Sequence, residues 1–95
     1  MKYELIFAPE AVQDLKRLSA RNRTAVLENI ERNLRYTPDK TSRARIKRLQ
    51  GLKRPQYRLR IDDIRVYYDV SETNVEILAV VSKSRAADWL KEYGE

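Results

Sequence analysis

With 95 residues, 42% hydrophobic and 36% charged, the chain can bury one modest core beneath a heavily charged surface. It contains neither cysteine nor histidine, which excludes disulfides, thiolate metal sites and the commonest acid–base side chain. Of the net charge of +6, all sits in residues 41–65, where nine basic residues meet two acidic ones; the other 70 residues hold 11 basic and 12 acidic.

In chain order, Lys2 to Phe7 alternates, with Tyr3, Leu5 and Phe7 on one side, and predicts a first strand. Pro9 and Glu10 start a helix, because proline suits the first helical position and a carboxylate suits the positive end of the dipole. Val12, Leu15 and Leu18 continue it to about Ser19. A basic connection, Ala20 to Arg23, leads to a second helix with the stripe Val26, Leu27, Ile30 and Leu34, ending near Tyr36 before Pro38. These stripes suit a helical hairpin laid on one face of a sheet.

Thr37 to Arg45 is a polar, basic loop, and Ile46 to Leu49 a short strand. The loop through Gly51, Lys53, Arg54 and Pro55 then leads to the central motif, Tyr57 to Tyr68. Apolar and polar residues alternate on both sides of Asp62-Asp63, which predicts a two-residue hairpin. Its register places Ile61 opposite Ile64, Arg60 opposite Arg65, Leu59 opposite Val66, Arg58 opposite Tyr67 and Tyr57 opposite Tyr68. One face is apolar; the other carries Arg58, Arg60, Arg65 and Tyr67. Like charges directly opposite each other destabilise a sheet, so this pairing points to an anionic ligand.

After a turn at Ser71 to Asn74, a last strand runs from Val75 to Val81. Val75, Ile77, Ala79 and Val81 share its inner face; Leu78 falls beside Tyr67, and Leu78 and Val80 lie on the arginine face. Ser82 or Ser84 caps a final helix through Trp89 and Tyr93, closed by Gly94. The order β-α-α-β-β-β-β-α predicts an α+β fold in one domain, residues 1–95. No apolar run approaches the ~20 residues of a membrane span. No signal peptide is seen, and a cysteine-free chain suits the cytoplasm. The basic cluster favours a polyanion such as nucleic acid.

Taken together, Leu49-Gln50-Gly51-Leu52, Tyr57-Arg58-Leu59-Arg60, Ile64-Arg65-Val66-Tyr67-Tyr68, Val75-Glu76-Ile77-Leu78, and Lys83 and Arg85 before the last helix resemble the RelE/ParE superfamily of bacterial toxins. The resemblance covers almost the full length and is nearer to RelE. It implies a small twisted antiparallel sheet with a two-helix hairpin on one face, a basic groove on the other and a short C-terminal helix. It also implies a toxin of a toxin–antitoxin module that cleaves messenger RNA in the ribosomal A site. In that reaction the message's own 2′-hydroxyl attacks the adjacent phosphate, so no metal or cofactor is needed.

The family's two strand lysines fall on Arg58 and Arg60. Its transition-state arginine falls on Arg65, and its arginine after the last strand on Arg85. These four are the expected catalytic residues. Arg43, Arg45, Lys47, Arg48, Lys53, Arg54, Tyr67 and Lys83 are the expected RNA-binding residues, with Tyr67 suited to stack on a base. The family's C-terminal tyrosine has no match: Lys91 stands near its place. Arginine stays protonated, so Arg58 and Arg60 clamp phosphate rather than act as bases. Further implied partners are a RelB-like antitoxin with a partly disordered acidic segment, the ribosome with its message, and operator DNA reached through the antitoxin. The incomplete acid–base set leaves a second reading open: a ParE-like toxin that inhibits DNA gyrase by binding.

Overall fold

The structure, a computed structural model, describes residues 1–95. Strand β1 (Glu4–Phe7) is followed by helices α1 (Pro9–Arg17) and α2 (Ala20–Leu34). Strands β2 (Ile46–Arg48), β3 (Tyr57–Ile61), β4 (Ile64–Val70) and β5 (Asn74–Ser82) come next, then helix α3 (Lys83–Tyr93). This is the predicted α+β order. The five strands form one mixed sheet in the order β1-β5-β4-β3-β2. Three of its neighbouring pairs are antiparallel, as expected. The fourth pair, β1 with β5, is parallel, because the helical hairpin carries the chain from one edge of the sheet to the other.

The β3–β4 hairpin has the predicted register: Ile61 opposite Ile64, Arg60 opposite Arg65, and Tyr57 opposite Tyr68. Asp62 opens the turn with φ of +50°, a left-handed conformation that aspartate tolerates better than most residues. Leu59, Val66, Tyr68, Val75 and Ile77 turn toward the helices and are fully buried with Ala11, Val26, Ile30 and Leu34. Each fully buried Val, Leu or Ile side chain contributes about 1.5–3 kcal/mol. The Tyr68 ring stacks on Tyr57 with centroids 5.5 Å apart, and its hydroxyl donates to the Pro38 carbonyl at 2.6 Å. That bond ties the long polar loop to the core.

Two local expectations are corrected. Residues Ala20 to Arg23 are not a connection but the first turn of α2. Ser19 caps that turn, accepting from the Asn22 backbone N–H at 3.1 Å. Arg23 then reaches back to α1, donating to the carbonyls of Leu15 (2.9 Å), Lys16 (3.2 Å) and Leu18 (2.9 Å). It thereby satisfies carbonyls that the end of a helix leaves unpaired. Arg23→Ala is expected to lower stability by about 1–2 kcal/mol, with little recovery in Arg23→Lys, because one ammonium cannot span three carbonyls. Urea denaturation of the three proteins checks this.

The second correction lies in β5. A bulge between Tyr67 and Tyr68 opposes Tyr68 to Ile77 and Tyr67 to Ala79, leaving Leu78 as the extra residue. Leu78 therefore does not pair with Tyr67. Beyond the bulge the faces exchange. Val80 packs into the core opposite Val66, while Ala79 and Val81 join the arginine face. The Val80 N–H donates to the Asp14 carboxylate of α1 at 2.9 Å, which pins this half of β5 to the helix.

Candidate nucleic-acid interface

The sheet face away from α1 and α2 is organised in rows across the strands. Lys47, Arg58, Tyr67 and Ala79 are successive cross-strand partners. Arg60, Arg65 and Val81 form the next row. Directly opposed residues share a face with their Cβ atoms about 5 Å apart, so four cations and one tyrosine converge here. The four ion pairs of the protein join Arg17 to Asp14, Arg35 to Glu31, and Arg54 to Asp69 and Glu76. None of them neutralises Lys47, Arg58, Arg60 or Arg65.

Each cation is held differently. Arg65 lies on the expected face but is only 7% exposed. Its Nη1 donates to the carbonyls of Asp62 (2.8 Å) and Ile64 (3.1 Å), which folds the guanidinium onto the turn. Arg58 Nε is buried without any hydrogen-bond partner. Burial, then repulsion from Arg65 and, after the opposing effect of Tyr67, from Arg60, holds the Arg58 guanidinium below its ordinary pKa. Lys47 and Arg60 are exposed. An unpaired, partly desolvated guanidinium beside three other cations favours an anion that accepts hydrogen bonds, as phosphate does.

Tyr67 is fully enclosed at its ring. Trp89 of α3 stacks on it with centroids 4.9 Å apart and planes within 3°, and Tyr93 packs on Trp89 at 5.6 Å. With 2% exposure, the ring offers no face for a nucleic-acid base. Its hydroxyl has no partner in the protein and, since Arg58 Nε is the one buried side-chain polar atom left unpartnered, keeps a little exposure of its own.

The other expected residues are distributed more widely. Arg43 and Arg45 are exposed in the loop before β2, where the Arg45 carbonyl accepts from the Arg60 N–H at 2.8 Å. Arg48 turns to the opposite face, with its guanidinium 5.0 Å from the centroid of Tyr57. Arg54 binds Asp69 at 2.7 Å and Glu76 at 2.9 Å, and the Asp69 hydrogen bond raises its pKa. It is thus compensated, unlike the arginine row. The Lys53 N–H donates to the Glu95 carbonyl at 2.7 Å, fastening this loop to the C-terminus. Lys83 opens α3 and its N–H donates to the Asp63 carbonyl at 2.6 Å, at the same end of the sheet as Arg65. Arg85 lines an open groove between α1 and α3, floored by Leu78 and Val80. Sequence reasoning left Trp89 outside the site; its place at helical spacing before Tyr93 was the available signal.

Residues 5–87 match the family described as the ParE toxin of the type II toxin–antitoxin system parDE. The chain belongs to this family of type II toxins. It is also similar to solved structures of RelE toxins with RelB antitoxins. The RelBE2 complex of Mycobacterium tuberculosis is 27% identical, with a TM-score of 0.73 over 86% of this chain and 99% of that one. The RelE–RelB complex of Pyrococcus horikoshii is 26% identical, with a TM-score of 0.72 over 90% and 99%. The intact RelBE complex of Escherichia coli, at 20% identity and a TM-score of 0.58 over 84% and 95%, shares the fold. No curated protein matches the sequence. The toxin is therefore a RelE/ParE superfamily member whose structural likeness runs to RelE. None of its helices is long and apolar enough to cross a membrane.

Proposed function

We propose that this toxin is a ribosome-dependent endoribonuclease that cleaves messenger RNA in the A site and so stops translation. The observation that carries the reading is the uncompensated row of Lys47, Arg58, Arg60 and Arg65 on one sheet face. Guanidiniums there bind the scissile phosphate and stabilise the charge that builds on its oxygens when the 2′-hydroxyl attacks. Positioning by the ribosome brings that hydroxyl in line and lowers the entropic part of the barrier. Arg43, Arg45, Lys53 and Lys83 extend the contact along the RNA backbone, and Arg85 reaches it from the start of α3.

We expect the toxin to be held inactive by a RelB-like antitoxin whose acidic segment folds over the basic face. Operator DNA is reached through that antitoxin. A second reading, inhibition of DNA gyrase by binding, is favoured by the ParE toxin family match and by the absence of histidine.

Expression without antitoxin, followed by pulse-labelling, separates the two. The nuclease reading predicts that methionine incorporation collapses within minutes while thymidine incorporation continues. Loss of thymidine incorporation first, with linearised plasmid in gyrase assays, assigns the toxin to gyrase.

A further inference from the structure

The cation row has one group that gives up a proton, Lys47, on the edge strand β2 and two strands away from Arg65. Its arginines stay charged throughout catalysis, and the chain has no histidine. Cleavage of a phosphodiester by its 2′-hydroxyl nevertheless needs a proton on the departing 5′-oxygen, whose alkoxide is a poor leaving group.

Tyr67 is built into the middle of this row. Arg58 is its direct cross-strand partner, and Arg65 lies two residues away on the same face of β4. Its ring is locked between the sheet and Trp89, so the hydroxyl has a fixed direction. That hydroxyl donates to nothing in the protein and, in a residue only 2% exposed, keeps some contact with solvent on the arginine face. Burial raises its pKa, while Arg58 and Arg65 pull the other way, so it stays protonated at neutral pH. The same two guanidiniums stabilise the phenolate once the proton has left.

We propose that Tyr67 is a catalytic residue, the proton donor to the 5′-oxygen as the message is cut; this rests on the ribonuclease reading above. The 2′-oxygen forms its bond to phosphorus and its proton goes to water. The bond from phosphorus to the 5′-oxygen breaks, and that oxygen takes the Tyr67 proton. Water returns a proton to the phenolate, which leaves a 2′,3′-cyclic phosphate and a 5′-hydroxyl with no net change in protons.

The test pairs Tyr67→Phe, which keeps the ring and its stack on Trp89, with two messages. One has the ordinary 5′-oxygen at the scissile A-site phosphate. The other has a bridging 5′-sulfur, which leaves as a thiolate and needs no acid. On programmed ribosomes, Tyr67→Phe is expected to slow the oxygen message ~10²-fold or more and the sulfur message less than ~3-fold. Equal slowing of both messages makes Tyr67 structural and overturns the proposal. So does equal speed with the parental protein on both. If the parental toxin cuts neither message, the ribonuclease reading fails and takes this role with it; if it cuts both and Tyr67→Phe matches it, only the role of Tyr67 fails.

Discussion

Arg65→Ala is expected to lower ribosome-dependent cleavage ~10²–10³-fold, the usual cost of removing one donor that stabilises transition-state charge. The Arg65 guanidinium is oriented before substrate arrives, because Nη1 is bound by the Asp62 and Ile64 carbonyls of its own turn. Its other nitrogens remain for the phosphate. Arg65→Lys keeps the charge but loses the planar fork, so it recovers only part of the rate. The fold is expected to survive. Two hydrogen bonds to the turn are lost, but the repulsion between Arg65 and the directly opposed Arg60 goes with them, leaving a net change of about 1 kcal/mol or less. Single-turnover cleavage on programmed ribosomes, with urea denaturation of the same samples, gives both numbers. Cleavage at the parental rate removes Arg65 from the site, and an unfolded variant makes it a structural residue.

Arg58→Leu is expected to move activity and stability in opposite directions. The substitution removes a guanidinium whose Nε is buried without a partner and whose charge is opposed by Arg65 and Arg60. An apolar residue of similar reach relieves both penalties, so stability is expected to rise by about 1 kcal/mol. Cleavage is expected to fall ~10²–10³-fold, because the proposed phosphate-binding row loses one of its guanidiniums. A stability cost accepted at one position and recovered on mutation is the mark of a binding site rather than of a solvated charged surface. Urea midpoints and cleavage rates measured side by side decide the matter: a variant that is less stable, or as active as the parent, contradicts this role.

The hairpin register was legible in the sequence because strict alternation on both sides of Asp62-Asp63 leaves one pairing that puts Leu59, Val66 and Tyr68 on a common face. That register alone brings Arg58, Arg60, Arg65 and Tyr67 onto one face. What alternation does not carry is an inserted residue. The bulge at Leu78 leaves the apolar pattern of β5 looking regular, yet it moves Val80 into the core and Ala79 and Val81 to the arginine face. The start of α2 was hidden for a different reason. Arg21 and Arg23 read as a basic loop, and that reading outweighed the local cap at Ser19, whereas Arg23 bridging to α1 is a tertiary fact.

Side-chain partners were the least legible part of the site. Charge alone cannot separate Arg54, engaged by Asp69 and Glu76, from Arg58, which has nothing opposite it but Lys47 and Tyr67. Arg48 counts in the basic cluster but lies on the other face, over Tyr57. Tyr67 was expected to present its ring to a base. The placement of Trp89, set by where α3 folds back onto β4, covers that ring.

The central claim is most directly tested by incubating the purified toxin with ribosomes carrying a defined message and mapping both new ends. The account predicts a cut at the A-site codon that requires the ribosome, leaving a 2′,3′-cyclic phosphate upstream and a 5′-hydroxyl downstream, and that disappears in Arg65→Ala. An intact message in the presence of ribosomes, together with gyrase trapped on cleaved DNA by the same protein, would contradict it.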